Sequence, residues 1–260
     1  MNNYEIFKQL HSQKEHFLLG NVWNADSAQL FEQSGIQAIA TSSSALANSL
    51  GYEDGENMPF SELLFMAEKI INRITIPFSV DIESGFSKIP SEIVEHIKQL
   101  HQIGVVGINI EDSMISGTRE MIPASEFCKK LAFVKSELQK NKIEIFINIR
   151  TDPFLLSIPS PLEEILKRIN VYQNEGANGI FVPCIENETD ISKVVSSTNL
   201  PVNVMCMPKL PSFEKLSELG VKRISMGGSV YNALNKNLEN RIQNILREKS
   251  FKSLFQDYKY

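Results

Sequence analysis

The chain has 260 residues, of which 42% are hydrophobic and 22% charged, long enough for one α/β barrel. A net charge of −5 argues against nucleic acid as a main partner, and no apolar stretch is long enough to engage a membrane by spanning it. Cys128, Cys184 and Cys206 are too few for a disulfide framework and fit no zinc spacing, and segment 1–13 has no apolar leader core, so a reducing, cytoplasmic location is expected.

A polar helical run, 1–13, opens the chain. Strand Phe17–Val22, helix 27–33, strand Ala38–Thr41 and helix 59–73 follow. Next come strand Phe78–Asp81, helix 90–103, strand 106–111 and helix 125–139. Strand 145–150, helix 161–175, strand 179–183 and helix Glu188–Ser196 continue the alternation, and strand Val202–Met205, helix 212–219 and strand 223–226 complete it. Gly35, Gly104, Gly176 and Gly220 each close a helical run shortly before a strand, where a left-handed cap is expected. Eight such units predict a (β/α)8 TIM-type barrel, with residues 1–260 as a single domain and a helical tail over about 230–260. An open doubly wound sheet uses the same units, but no Gly-x-Gly-x-x-Gly fingerprint is present. In the tail, Leu234, Leu238, Ile242 and Leu246 share one stripe that could close the barrel or dock on another subunit, so a homo-oligomer, dimer or tetramer, is expected.

Strand parity sorts the side chains. Phe78, Val80 and Ile82 oppose Ser79, Asp81 and Glu83; Ile108 and Ile110 oppose Asn109 and Glu111; Ile147 and Ile149 oppose Asn148, Arg150 and Asp152. Likewise Val202 and Val204 oppose Asn203, and Ile224 and Met226 oppose Arg223 and Ser225. The apolar sets must meet the helices, so the polar sets point into the barrel. Asp81, Glu83, Glu111 and Arg150 fall at C-terminal strand ends, the face where barrel enzymes do their chemistry. These charges could form a structural ion-pair network. Three carboxylates against one arginine, however, leave negative charge that a hard divalent cation would balance, Mg²⁺ or alternatively Mn²⁺. His11, His16, His96 and His101 all read as helical residues with surface or packing roles.

Asn24-Ala25, Thr41-Ser42-Ser43-Ser44-Ala45, Leu50-Gly51-Tyr52 and Asp54-Gly55 belong to the first two strand ends. Asp81-Ile82-Glu83-Ser84-Gly85-Phe86, Asn109-Ile110-Glu111-Asp112 and Arg150-Thr151-Asp152 follow in order. Gly176-Ala177 with Phe181-Val182-Pro183, then Gly220-Val221-Lys222-Arg223-Ile224-Ser225, complete the set. Over about 20–228 the chain thereby resembles the isocitrate lyase/phosphoenolpyruvate mutase superfamily. The resemblance implies a magnesium-dependent lyase acting on a small anionic 2-oxo acid or dicarboxylate, such as oxaloacetate, through an enolate. It implies Asp81 as direct metal ligand, with Glu83, Glu111 and Asp54 holding metal-bound waters. Ser43 and the backbone at Ser44 and Ala45 would grip the substrate carboxylate, with Arg150 on its other side and Thr41 and inward-facing Asn203 in the same substrate-binding set. Arg150, Asp54 and Glu111 are the expected catalytic positions.

Loop 113–122 departs from the family pattern. Lyases of this superfamily carry a Lys-Lys-Cys-Gly-His segment there, and its phosphonomutases carry a lysine and asparagine. This loop holds no cysteine, lysine, histidine or asparagine. Reactions whose proton comes from water are therefore favoured, decarboxylation or hydrolytic cleavage among them. Phosphoenolpyruvate or phosphonopyruvate mutase or hydrolase activity, and a non-catalytic 2-oxo-acid-binding protein, are the alternatives. Arg119 reads as a solvated loop residue, with closure over a substrate from a mobile loop as the alternative; Cys128 reads as part of a packing stripe, and Cys184 and Cys206 as small core fillers. Gly227-Gly228-Ser229 would suit a phosphosugar, but Met207-Pro208-Lys209-Leu210-Pro211 supplies no matching glycine-rich turn, and no strand-end lysine supports a Schiff base.

Overall fold

The computed structural model describes residues 1–255; positions 256–260 of the expected tail lie outside the described residues. The order is α1 (Asn3–Ser12), β1 (Phe17–Val22), α2 (Ala25–Gln33), β2 (Ala38–Thr41), α3 (Ser43–Ser49), α4 (Phe60–Ile71), β3 (Phe78–Asp81), α5 (Pro90–Gln102) and β4 (Gly107–Glu111). A hairpin, β5 (Ser113–Ser116) and β6 (Thr118–Met121), precedes α6 (Ala124–Lys140), β7 (Phe146–Arg150), α7 (Pro161–Tyr172) and β8 (Gly179–Val182). The chain continues through α8 (Glu188–Ser196), β9 (Val202–Met205), α9 (Phe213–Glu218), β10 (Arg223–Ser225) and α10 (Ser229–Glu248). Eight parallel strands close in the order β1-β10-β9-β8-β7-β4-β3-β2, and the hairpin is a separate two-stranded sheet. This is the expected (β/α)8 barrel.

Register explains the sidedness. β4 pairs with β7 so that Ile108 matches Ile147, Asn109 matches Asn148 and Glu111 matches Arg150. Apolar strand residues such as Val80, Ile108, Ile147, Ile180 and Val204 pack with Leu63, Ile70, Ile93 and Ile165 of the helices. Polar partners fill the interior instead. Asn148 Nδ2 donates to Asn109 Oδ1 at 2.9 Å and to Asn203 Oδ1 at 3.3 Å, and Asn203 Nδ2 donates to Ser225 Oγ at 2.9 Å. Arg223 joins this amide layer through Nη2 to Asn109 Oδ1 at 3.1 Å, and burial lowers its pKa to about 9.

Below that layer, α1 plugs the N-terminal end of the barrel. Phe7 and Leu10 pack with Phe17, Leu19, Ala38, Ala40, Val106 and Phe146 in a second apolar cluster. His11 stacks on Phe146 with ring centroids 4.0 Å apart, and its Nδ1 lies 2.7 Å from the Phe7 carbonyl. His16 is not helical, contrary to the sequence expectation: it lies in the link just before β1, 2.6 Å from Ser217 Oγ.

Two elements were not foreseen, α3 and the β5–β6 hairpin. Both are too short to display a hydrophobic period; α3 instead starts on Ser42, whose hydroxyl accepts the Ala45 N–H. The last helix is exposed. α10 has no buried residue, and its stripe runs from 38% exposed at Val230 to 65% at Leu246. Among the described residues, no helix is long and apolar enough to cross a membrane.

Candidate active site

The C-terminal strand ends surround a cavity of about 530 Å³. Thr41 ends β2, and its Oγ1 accepts the Asp81 N–H at 2.8 Å, which joins β2 to β3 at the rim. Beyond Asp81 the chain turns sharply: Glu83 adopts φ +48°, and its N–H donates to Asp81 Oδ1 at 3.0 Å. Glu56 holds this turn from outside, its Oε1 accepting the Ser84 N–H, the Ser84 hydroxyl and the Phe86 N–H at 2.8, 2.8 and 2.9 Å. The loop that carries Asp54 is thereby tied to the loop after Asp81.

Arg150 ends β7 and is fixed by Asp152, receiving its Nε on Oδ1 at 2.7 Å and its Nη2 on Oδ2 at 3.0 Å. Its Nη1 lies 2.8 Å from Glu111 Oε2. Burial opposes the charge of Arg150, but Glu111, Asp152 and Asp81 outweigh it and raise its pKa. Asp112 is a knot of a different kind. It accepts from Thr151, Arg168 and Tyr172 at 2.7, 3.1 and 2.9 Å and anchors β4 to β7 and α7.

Thr41, Ser43, Ser44, Asp54, Asp81 and Arg150 line the cavity as the sequence reading expected. Glu83 and Glu111 are buried just beneath it. Two expected substrate contacts are corrected. Asn203 belongs to the amide layer below, and Ala45 is buried with its N–H given to Ser42 Oγ at 3.4 Å. Parity marked Asn203 as interior but could not say how deep.

Arg119 is also corrected. Its side chain is 15% exposed and bridges Glu111 and Ser113 Oγ, with Asp152 Oδ2 at 3.6 Å and Asp54 Oδ2 at 4.0 Å. It lines the cavity beside Arg150 because the hairpin folds it back. Cys206 lines the cavity and is exposed, and Cys184 is only partly buried, with φ +62°. Neither is a core filler, since both lie beyond the last paired residue of their strands, where alternation ends. Cys128 does pack against the core, and burial raises its thiol pKa. Asp152 and Glu56 were given no role from the sequence, and Arg119 was read chiefly as solvated. Only Asp152 left a signal, its shared parity with Arg150.

Electrostatics define what the site can hold. Burial raises the pKa of Asp81, with Arg150 offsetting part of the effect. Glu83 is pushed up to about 9 by burial and then by Glu111, Asp54 and Asp81, while Glu111 rises to about 8 through burial despite Arg150. Asp54, Asp81, Glu83, Glu111 and Asp152 thus face two guanidiniums as a set of hard oxygens, and the raised carboxyls are ones whose charged form a bound cation would favour. Among the described residues, no three His, Cys, Asp or Glu side chains converge closely enough to wrap an ion. Asp81, with Glu83 and Asp54 nearby, would be the residues to hold a hard cation there. Magnesium favours this arrangement.

Fold and rim together define a TIM-barrel protein with a carboxylate- and arginine-lined mouth. The phosphoenolpyruvate phosphomutase family model matches residues 7–246, and the chain belongs to that family. An uncharacterised protein of Mycobacterium tuberculosis is 32% identical over 227 residues, 87% of this chain and 83% of that one. An oxaloacetate decarboxylase of Pseudomonas fluorescens is 24% identical over 220 residues, covering 81% and 73% of the two chains. A crystal structure assigned provisionally as a phosphonomutase, from Burkholderia cenocepacia, shares 32% identity and a TM-score of 0.87 over 93% of this chain and 99% of that one. The relatives with a named activity are thus a decarboxylase and a provisionally assigned phosphonomutase.

Proposed function

We propose that the protein is a magnesium-dependent carbon–carbon lyase that cleaves or decarboxylates a small 2-oxo diacid of the oxaloacetate type. The observation that carries this reading is Arg150, held rigid by Asp152 on the cavity wall beside Asp81. Its planar fork suits a carboxylate, and Asp81 suits a divalent cation. A cation held by Asp81 would supply Lewis acidity toward the 2-oxo group of such a substrate and so favour enolate formation as the C–C bond breaks. Arg150 holds the neighbouring carboxylate and offsets its charge, and Ser43 and Ser44 offer hydroxyls from the opposite rim. Hairpin β5–β6 carries no cysteine, lysine or histidine, and water is the proton source in this proposal. That step contributes about 10²- to 10⁴-fold when a side chain performs it, less than the electrostatic part here.

Incubation with Mg²⁺ and a panel of 2-oxo and 2-hydroxy diacids, followed by NMR of the products, tests the reading. Turnover of a four-carbon 2-oxo diacid is expected. Tight Mg²⁺-dependent oxalate binding without turnover of any member would point to a binding protein instead. The 32% identity to the provisional phosphonomutase keeps phosphorus chemistry in view, and ³¹P spectra with phosphoenolpyruvate separate the two. Mg²⁺ with oxalate is expected to raise the Tm, and Asp81→Ala to abolish the rise. No shift with any divalent metal would remove the metal from this account.

The active form is proposed to be a homo-oligomer. α10 buries nothing of its own stripe, while Trp23, Leu30, Phe31 and Ile36 line an apolar groove beside its first turns. Val230 and Leu234 of the stripe line the same groove, and this continuous exposed apolar surface fits a second copy. Leu238→Glu is expected to shift the light-scattering mass to that of a monomer; an unchanged mass would refute the assignment.

A further inference from the structure

Arg119 is placed by packing at the hairpin tip as well as by its charge. Ile115, its partner across the hairpin, lies so close to Gly55 that a Cβ there would stand 2.0 Å from Cδ1. The tip therefore rests on the loop carrying Asp54. The guanidinium is anchored at one end only. Nη1 is held by Glu111 and Ser113 Oγ, while Nη2 stands 4.0 Å from Asp54 and makes no hydrogen bond to any described residue. Glu111 carries Arg119 on Oε1 and Arg150 on Oε2, so the two guanidiniums stand one carboxylate apart on one wall of the cavity. Both guanidiniums therefore present anion-binding groups to the same cavity.

We propose that Arg119 is a specificity-determining residue that binds the second anionic group of the substrate, the first being held by Arg150. The inference rests on the reading of the Asp81–Arg150 site given above. Arginine stays protonated throughout the physiological range, so the hairpin supplies an anion receptor where a loop acid would otherwise stand. A diacid gives Nη2 a charged acceptor. A mono-acid leaves it facing the cavity without one, which is the kind of unpaired polar group that discriminates strongly.

The test compares malate with 2-hydroxybutyrate, which carries a methyl in place of the distal carboxylate, by calorimetry in Mg²⁺. Oxalate serves as a separate probe of the Asp81–Arg150 site. Wild-type protein is expected to prefer malate. R119Q is expected to weaken malate about 10- to 100-fold and to weaken oxalate and 2-hydroxybutyrate by clearly less, the smaller loss coming from the released Glu111. R119K, which keeps the charge without the fork, should retain part of the preference. Oxalate binding with no Arg119-dependent preference for malate would overturn the proposal and leave the metal-site reading intact. An Arg119-dependent preference without oxalate binding would support it and overturn that reading instead. Equal losses for all three ligands in R119Q and R119K would mean a structural role and also overturn it.

Discussion

Asp152 and His11 show how single side chains set behaviour at opposite ends of the barrel. Asp152 never touches the cavity, yet its two bonds hold the Arg150 plane and it accepts the Ser113 hydroxyl at 2.6 Å. Asp152→Asn keeps the size but loses the charge and one acceptor. Oxalate affinity is expected to fall about tenfold or more, with circular dichroism unchanged. His11 is neutral in the fold, its pKa lowered to about 3 by burial and then by Arg223. Phe7, Phe17 and Phe146 complete its surroundings. Its folded pKa is below the unfolded value of about 6.5, so its stabilising contribution is complete above pH 6.5 and is lost as pH falls toward 3. That amounts to about 2 kcal/mol by pH 5. The raised carboxylates Asp81, Glu83, Glu111 and Asp112 act in the opposite direction, so the comparison must be made against a variant. In urea titrations, the loss between pH 6.5 and 5 should be smaller in His11→Leu than in wild type.

At the scale of elements, the rim is a set of short loops tied together by carboxylates. Glu56→Ala removes three hydrogen bonds to segment 84–86 and is expected to cost about 1–3 kcal/mol. It should also weaken Mg²⁺-dependent oxalate binding, because the turn that shapes Asp81 loses its outer support. Intact oxalate affinity in a destabilised variant would confine Glu56 to stability. The same scale explains what could be read from residues alone. Strands β3, β4 and β7 alternate strictly, so parity alone places Asp81, Glu111 and Arg150 inside. Parity failed where strands stop. Beyond Val182 and Met205 the backbone leaves the ladder, and Cys184 and Cys206 no longer follow it. Arg119 was missed because its position depends on the register Ile115 to Arg119 across a hairpin whose strands span four residues each.

For the whole molecule, α1 and the rim divide labour along the barrel axis. Phe7, fully buried, contributes about 1.5–3 kcal/mol through its burial and seals the floor with Phe17 and Phe146. Phe7→Ala is expected to cost about 3–5 kcal/mol, read by denaturant midpoint, with little change in ligand preference because the amide layer separates the floor from the site. The sealed floor also governs traffic. A barrel closed at one end is a cul-de-sac: reactant, water and every product share the doorway beneath Ile115 and Arg119. Departure then competes with entry through that one mouth.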